Sequence, residues 1–444
     1  MPKSIKHQKN KVVRKGKKEK KTLFQSPKGM HDILPQEQPY WEKIRRVSNQ
    51  IADFYNFSRI DTPILEMAEI FERGIGEGTD IIEKQMFTIR TKGGDRLVLR
   101  PEGTAPIIRS YLQHGLSRLS QPMKLYYNGP MFRYEKPQAG RYRQFHQVGF
   151  ETIGGDDDPI FDAQIILITY QLIKELKIKN LTIQINSIGC KNCRPAYRRK
   201  LQSYYNKFGQ NEICKDCQRR LVINPLRLLD CKNENCALIR EQAPILLNNH
   251  NLCQSCNNHF KETLEFIDEL KLPYNLNPFL VRGLDYYNRT VFEIFTEGVN
   301  VALASGGRYD YLAEMLGSRK RAAVGSSIGI ERLVEVMKTQ GFGGLSIRSK
   351  PKAFLIHIGE QAKKQSLGLI EEFRKSGIKV IESLWKDSLK SQLRVADKEE
   401  ATLSLILGQK EVFEESIIIR DMRSGAQETV PLRKAVEEVK KRLK

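Results

Sequence analysis

Residues 280–293, LVRGLDYYNRTVFE, combine side chains that could hold a small charged ligand. Arg282 is a permanent cation that can bind a carboxylate or a phosphate through two parallel hydrogen bonds. Tyr286 and Tyr287 are adjacent phenols, which offer hydrogen bonds from a largely apolar wall. These residue types suit a zwitterion held beside a phosphate. Taken alone, the segment is equally well explained as an ordinary β-strand with solvated charges.

Residues 132–151, FRYEKPQAGRYRQFHQVGFE, carry a second group of polar side chains, and we predict a strand, a charged loop and a returning strand. Strand alternation places Gln147, Gly149 and Glu151 on one face of the returning strand. A buried face that carries Gln and Glu is costly unless these side chains bind something polar. We therefore favour a polar ligand here over a solvated hairpin.

The same alternation puts Arg133 and Glu135 on one face of the first of these two strands. In LRPEGTAP, residues 99–106, Glu102 and Thr104 come at a strand-to-helix turn beside free backbone N–H groups. They could cap the helix, bind a ligand, or do both.

Two glycine-rich segments follow later in the chain. We interpret ASGGRYD, residues 304–310, as a glycine turn that allows close backbone approach. AVGSSIGIERL, residues 323–333, reads as a glycine-rich strand that leads into a helix presenting Arg332. It also matches the G-x-S-x-G pattern of hydrolases, but His357 is the only later histidine and no Asp lies between it and Ser327. A hydrolase triad is therefore a poor explanation.

All eight cysteines fall between Cys190 and Cys256, in four close pairs of which three have CxxC spacing. The sequence shows no secretion signal, so we expect a reducing compartment and thiolate metal ligands, in preference to disulfides, free thiols or redox pairs. Eight thiolates can form two all-cysteine zinc sites, which would be structural because no ligand position is left open. Since the ends of the insert should meet, we favour an outer site (Cys190, Cys193, Cys253, Cys256) and an inner site (Cys214, Cys217, Cys231, Cys236), with His259 as a less favoured substitute ligand.

The chain has 444 residues and a net charge of +22. Residues 1–22 contribute +9 of this charge and leave +13 for the rest, which indicates a polyanionic partner such as nucleic acid, or else a simple solubility bias. We expect the basic segment 1–24 to be disordered. No apolar run suggests a signal peptide or a membrane span, so we expect a cytoplasmic protein.

The remaining patterns predict two folded domains. Residues 41–57 have helical periodicity, strands are expected around 97–100, 124–133 and 145–153, and Asp158-Pro159 should open a helix. Residues 352–408 alternate as βαβαβ, which predicts a parallel sheet. The expected boundaries are 1–24 for the tail, 25–189 and 275–338 for a catalytic domain, 190–274 for a cysteine-rich insertion, 339–350 for a linker and 351–444 for a terminal domain.

In this order the segments resemble the class II aminoacyl-tRNA synthetases, from SPKGMHDILP near Ser26 to the C-terminus. LVRGLDYYNRTVFE and ASGGRYD resemble the signatures of the histidyl-tRNA synthetase family. Residues 132–151 correspond to motif 2 of the class, residues 323–333 to motif 3, and residues 62–88 resemble the dimer-forming motif 1. The resemblance implies an α+β catalytic domain with a mixed, largely antiparallel sheet, a cysteine-rich insertion and a C-terminal α/β anticodon-binding domain.

The resemblance also implies an activity: ATP with Mg²⁺ activates L-histidine, and the histidine passes to the 3′ end of tRNA(His), in a homodimer. Arg133 and Arg282 would be the catalytic residues, at the α-phosphate. The residues implied for ATP are Arg133, Glu135, Arg141 and Arg332, and Tyr142 and Arg143 would meet ATP or the acceptor end beside Arg141. Those implied for histidine are Glu102, Gly103, Thr104, Arg133, Gln147, Glu151, Arg282, Tyr286 and Tyr287.

Within the histidine set, the resemblance assigns the ammonium group to Glu102, Thr104 and Gln147, and the imidazole to Glu151 and Tyr287. Lys136 stands where Arg is common in the family, and it keeps the charge without the planar fork. Three alternatives stay open: a non-catalytic relative such as the regulatory subunit of a phosphoribosyltransferase, a pure RNA-binding protein, and a synthetase for another amino acid.

Overall fold

The computed structural model describes residues 24–76, 79, 81–138, 140–209, 211–247, 251–341 and 353–443. They form two compact units, the first ending at residue 341 and the second beginning at residue 353 of the described chain. The predicted tail at 1–24, except Phe24, and most of the predicted linker at 339–350 lie outside the described residues.

The first unit contains an eight-stranded sheet in the order β1-β5-β6-β11-β10-β9-β7-β8 and a three-stranded antiparallel sheet in the order β2-β4-β3. In the large sheet only the two edge pairs are parallel, which confirms the predicted mixed, largely antiparallel sheet. The strands of the two sheets are β1 (Ser58–Arg59), β2 (Leu65–Met67), β3 (Phe87–Arg90), β4 (Arg96–Leu99), β5 (Met123–Phe132), β6 (Gln144–Ile153), β7 (Leu181–Ser187), β8 (Tyr274–Leu276), β9 (Asn288–Thr296), β10 (Ala304–Arg308) and β11 (Ala323–Gly329).

Helices pack around this sheet, and α4 forms the centre of the core. Its sequence IFDAQIILITYQLIKE is apolar on nearly all sides, and it contacts β6, β9, β10, β11 and helix α8. Asp158 accepts a hydrogen bond from the N–H of Ile160 at 2.8 Å, so the predicted Asp-Pro start is confirmed. The helices are α1 (Gln38–Phe54), α2 (Ala68–Ile75), α3 (Thr104–Gln113), α4 (Ile160–Glu175), α5 (Arg194–Tyr205), α6 (Lys215–Ile223), α7 (Glu234–Glu241), α8 (Gln254–Glu269), α9 (Leu312–Met315) and α10 (Ile330–Thr339).

The prediction of a glycine turn at residues 304–310 was wrong, because Ala304–Arg308 is a central strand. Its glycines are needed for a different reason: a Cβ at Gly306 would lie 2.3 Å from the carbonyl oxygen of Gly325. Glycine here permits close packing between strands.

The second unit is a five-stranded sheet in the order β13-β12-β14-β15-β16. The prediction of a parallel sheet holds only for β13, β12 and β14, since β15 and β16 are antiparallel. Only the short helix α13 separates β14 from β15, so no full crossover is available and the chain must reverse direction. The elements are β12 (Ala353–His357), α11 (Glu360–Lys375), β13 (Val380–Glu382), α12 (Leu389–Lys398), β14 (Leu403–Leu407), α13 (Gln409–Phe413), β15 (Ser416–Asp421), β16 (Gln427–Pro431) and α14 (Ala435–Arg442).

Among the described helices of both units, none has the length and apolar character needed to cross a membrane.

Candidate active site

A cavity of about 820 Å³ opens in the first unit, beside the central strands of the large sheet. Strand ends, the start of α3, residues 281–284, Tyr286, Tyr287 and part of the cysteine-rich insert form its walls. Ten of the residues implied for histidine or ATP line it: Glu102, Thr104, Arg133, Glu135, Arg141, Gln147, Arg282, Tyr286, Tyr287 and Arg332. Gly103 and Glu151 lie directly behind this lining.

Glu151 is a carboxylate buried behind the cavity wall, with 1% of its surface exposed. The Thr104 hydroxyl donates to its Oε1 at 2.8 Å, and the Tyr309 hydroxyl donates to its Oε2. A Cβ at Gly325 would lie 1.7 Å from Oε2, so the glycine of β11 makes room for this carboxylate. Burial raises the pKa of Glu151 to about 8 in spite of the two hydroxyl donors.

Glu102 closes the other end of the same polar cluster and caps helix α3. Its carboxylate accepts from the backbone N–H groups of Thr104 at 2.7 Å and Ala105 at 2.9 Å. The Tyr286 hydroxyl donates to it at 3.3 Å, and burial raises its pKa. At Gly103 a Cβ would lie 2.5 Å from the Tyr127 ring, so glycine lets these groups approach. The capping interpretation is thus confirmed for Glu102 and wrong for Thr104, whose hydroxyl donates to Glu151, and a role of either residue in ligand binding stays a prediction.

Three phenols surround the two carboxylates. The ring centroids of Tyr286 and Tyr287 are 4.7 Å apart, and those of Tyr286 and Tyr309 are 5.7 Å apart. Within the described residues, the buried hydroxyl of Tyr127 and the buried carbonyl oxygen of Gln147 have no hydrogen-bond partner. Unpaired buried polar atoms beside a cavity are costly and suit a polar ligand.

Tyr127 and Tyr309 were not among the predicted site residues. Tyr309 directly follows the strand ASGGR. Because residues 304–310 were interpreted as a glycine turn, the contact of Tyr309 with Glu151 was not predicted. Period-two alternation in β5 could have singled out Tyr127, but nothing in the sequence pairs its ring with Gly103 and Gly149.

Arg282 and Arg133 are two of the arginines that bring positive charge to this cavity. Arg282 forms an ion pair with Glu293, donates to the Ser305 hydroxyl at 2.7 Å and lies over the Tyr287 ring. Arg133 donates to the carbonyl of Pro101 at 2.9 Å. The structure places Arg133 just after the end of β5, so the predicted strand face for it does not apply.

Arg332 and the loop between β5 and β6 form the outer part of the site. Arg332 donates to the carbonyls of Gly140 at 3.1 Å and Ala302 at 2.5 Å. Arg141 is 3.7 Å from Glu135, and both line the cavity. Arg143 does not line it, because its guanidinium lies 3.9 Å from the centre of the Tyr134 ring.

The eight cysteine thiols gather into two groups, which are the outer and inner groups of the nested arrangement. The Sγ atoms of Cys190 and Cys193 are 3.8 Å apart, those of Cys190 and Cys253 are 3.9 Å apart, and those of Cys214 and Cys231 are 3.7 Å apart. A disulfide would need about 2.05 Å. Zn–S bonds of about 2.3 Å in a tetrahedron require sulfur separations of about 3.8 Å, so these groups fit a zinc ion.

His259 belongs to neither thiol group. Its Nε2 lies 3.5 Å from Asp162, in a buried cluster where Arg308 also pairs with Asp162 and Asp310. His259 and Arg308 thus contribute to packing between the insert and the core.

The model of the histidyl-tRNA synthetase family matches residues 29–333, and that of the anticodon binding domain matches residues 352–442. The histidine–tRNA ligase of Dehalococcoides mccartyi strain 195 is 45% identical over 95% of this chain and 100% of its own length. Apo histidyl-tRNA synthetase from S. aureus is 32% identical with a TM-score of 0.77, and the match covers 94% of this chain and 100% of that one.

A structure described as an ATP phosphoribosyltransferase regulatory subunit/histidyl-tRNA synthetase from Bacillus halodurans C has a TM-score of 0.61 over 88% of this chain and 99% of that chain. It is 20% identical, so it shows a shared fold and nothing more. The two family models and the two relatives of higher identity establish membership. The chain belongs to the histidyl-tRNA synthetase family.

Proposed function

We propose that this chain activates L-histidine with ATP, giving histidyl-adenylate and pyrophosphate, and transfers the histidine to the 3′ end of tRNA(His). The observation that carries this proposal is one cavity that is lined by arginines and has a buried carboxylate–phenol cluster at its wall. The arginines suit the phosphates, and the cluster suits a small polar side chain.

On the phosphate side, the histidine carboxylate must attack the α-phosphate, and both groups are anionic. Cations fixed where this charge accumulates stabilise the transition state. We assign this role to Arg133 and Arg282, and we assign Arg332 to the γ-phosphate end and Glu135 with Arg141 to the nucleotide. No covalent nucleophile is required, because the reaction proceeds by positioning and electrostatics.

Mg²⁺ would enter bound to ATP, where it neutralises phosphate charge. The phosphates would supply most of its oxygen ligands, and the cavity carboxylates Glu135 and Glu293 offer further oxygen donors of the kind that Mg²⁺ prefers.

On the amino-acid side, we assign the ammonium group to Glu102, Thr104 and Gln147, and the imidazole to Glu151 and Tyr287. Gly103 permits the close approach, and Tyr286 lines the pocket. Imidazole offers a donor and an acceptor, so a pocket that pairs both rejects ligands that leave its buried groups unpaired. We add Tyr309 and Tyr127 to the amino-acid side of the site. The Tyr309 hydroxyl holds Glu151, and the buried Tyr127 hydroxyl has no hydrogen-bond partner among the described residues.

The alternatives explain less of the molecule. A non-catalytic regulatory relative would have no need for the cavity arginines or for the second unit at residues 353–443, which matches the anticodon-binding model. A pure RNA-binding protein would not need the buried cluster around Glu151. For tRNA(His) we propose that residues 351–444 read the anticodon. We propose that residues 25–189 and 275–338 form the catalytic domain and that residues 190–274 form an insertion in it.

We further propose a homodimer formed through the segment that resembles motif 1. Four large apolar side chains on the three-stranded sheet and its entry are exposed: Ile64, Leu65, Met67 and Ile89. Clustered exposed apolar residues are typical of interfaces. Light scattering is expected to give twice the mass of one chain, and the mass of a single chain would contradict the dimer.

We propose one structural zinc ion in each thiol group and a cytoplasmic location, because thiolate metal ligands are typical of a reducing compartment. Protein purified without added metal is expected to contain close to two equivalents of zinc by elemental analysis. Cys217→Ser should reduce this to about one equivalent and lower Tm, because a thiolate ligand is removed. Ser203→Ala, a small substitution at an exposed position of the insert, serves as the control. Wild-type protein that contains no metal would refute the two zinc sites.

Attachment of radiolabelled histidine to tRNA(His) tests the whole proposal. We expect charging with histidine and ATP together, and charging with a different amino acid in its place would contradict it.

A further inference from the structure

The histidine pocket depends on a segment without regular structure. Tyr286 and Tyr287 stand between β8 and β9, and the six residues that precede Tyr286 form neither a helix nor a strand. Both phenols are nevertheless buried. Something outside the sheet must therefore hold the two tyrosines in place.

Asp285, immediately before this pair, is held from two sides. Its N–H donates to the carbonyl of Ile75 at 3.0 Å, at the end of α2. Its carboxylate Oδ1 accepts from the Asn224 side-chain amide at 2.6 Å. Gly76 packs directly against it, because a Cβ there would lie 2.7 Å from Oδ2.

The Arg194 side chain holds the same segment by hydrogen bonds to backbone carbonyl groups. Its guanidinium donates to the carbonyl of Tyr287, to that of Asp285 at 3.5 Å, and to that of Ile188 at 3.3 Å. A single side chain thus ties the tyrosine segment to the start of the insert.

Arg194 and Asn224, whose side chains donate these hydrogen bonds, both belong to the cysteine-rich insert. Arg194 directly follows Cys193 of the outer thiol group. Asn224 lies midway between Cys217 and Cys231 of the inner group, and it is 3% exposed. In sequence, Arg194 therefore lies next to a cysteine of the outer thiol group, and Asn224 lies between two cysteines of the inner thiol group.

We propose that Asp285 is a positioning residue, through which Asn224 and the insert hold Tyr286 and Tyr287 in the orientation that binds histidine. This inference rests on the proposed function. Asp285 does not line the cavity, so it acts through the tyrosines and not on the substrate. A buried carboxylate that loses its donor keeps the full cost of burial, and the segment must then move to regain a partner.

The test uses the full-length protein and compares Asp285→Ala, Asn224→Ala, the double variant, and the swap Asn224→Asp with Asp285→Asn. The swap keeps one carboxylate and one amide at hydrogen-bond distance with the donor reversed. Asn206→Ala, at an exposed position after α5, is the matched control. Histidine-dependent ATP–pyrophosphate exchange gives KM and kcat for histidine and for ATP, and elemental analysis gives the metal content.

Each single alanine variant is expected to raise KM for histidine about tenfold, with KM for ATP within about twofold of wild type. The double variant should be no worse than the poorer single variant, because the two residues share one interaction. The swap should recover most of the loss, and metal content should equal that of the wild type in every variant.

Equal losses for histidine and ATP, additive effects in the double variant, or a swap that recovers nothing would each overturn the positioning role. Wild-type protein without histidine-dependent exchange would instead overturn the proposed function. Active wild type with unaffected variants would overturn this inference alone.

Discussion

Arg282→Ala is expected to lower kcat/KM for histidine-dependent exchange by about 10²- to 10³-fold or more, while the protein stays folded. The guanidinium lies in the cavity, where Glu293 and Ser305 fix its orientation before any substrate arrives. A preorganised cation at the α-phosphate stabilises the charge that develops when the histidine carboxylate attacks. Alanine removes this stabilisation, and water cannot replace it in a fixed geometry.

The comparison with Arg282→Lys separates charge from shape. Lysine keeps the positive charge but cannot bind Glu293 and the phosphate through one planar fork. We expect it to recover only part of the lost rate. Arg45→Ala, on the exposed face of α1, is the control and should react like wild type. Exchange by Arg282→Ala at the wild-type rate, with the same Tm, would remove Arg282 from the reaction.

Glu151→Gln is expected to lower kcat/KM for histidine by about 10²-fold and to leave KM for ATP unchanged. The amide is nearly the same size as the carboxylate, and the Thr104 and Tyr309 hydroxyls can rotate to pair with it. The fold should therefore persist. Glutamine keeps one acceptor oxygen, but its NH₂ group cannot accept a hydrogen bond from the imidazole and the side chain can no longer ionise when histidine binds. A variant that binds ATP poorly but histidine normally would contradict the assignment of Glu151.

The same variant has an independent signature in its stability. Burial raises the pKa of Glu151 from 4.5 to about 8, so between these values the folded protein keeps a proton that the unfolded chain has released. The contribution of Glu151 to the free energy of unfolding is therefore full below about pH 4.5 and declines up to about pH 8. Glutamine does not titrate, so the Tm of Glu151→Gln relative to wild type should rise from pH 5 to pH 8. A constant difference in Tm would mean that Glu151 is ionised throughout.

The sequence predicted the central architecture well where the pattern was long and local. The strands that became β5 and β6 are ten residues each, and the start of α4 follows from Asp158 and Pro159. The hairpin of β15 and β16 was missed, because a βαβαβ pattern says nothing about a chain reversal after its last strand.

The error at residues 304–310 has a related cause. Consecutive glycines are typical of turns, but in this sheet Gly306 and Gly307 allow central strands to pack closely, and Gly325 on the neighbouring strand makes room for the Glu151 carboxylate. Only the three-dimensional register shows that Gly325 faces Glu151 across the sheet. Residues 304–308 therefore form a strand because of tertiary packing, although their local sequence favours a turn.

For the site, the motifs were sufficient to select ten of the side chains that line the cavity, since these charged and phenolic side chains have few structural uses there. They could not reveal Tyr309, whose hydroxyl meets Glu151 across 158 positions of sequence. They also could not reveal Asp285, whose importance depends on Asn224 from the insert. Both depend on contacts between distant parts of the chain, which no local pattern encodes.

The central claim is that this cavity activates histidine. ATP–pyrophosphate exchange with purified protein, Mg²⁺ and each of the twenty amino acids in turn tests it most directly. We expect exchange that depends on histidine and exceeds that with any other amino acid by at least about 10²-fold, since Glu151 and Tyr287 are proposed to pair both imidazole nitrogens. Exchange that depends on a different amino acid, with none for histidine, would contradict it.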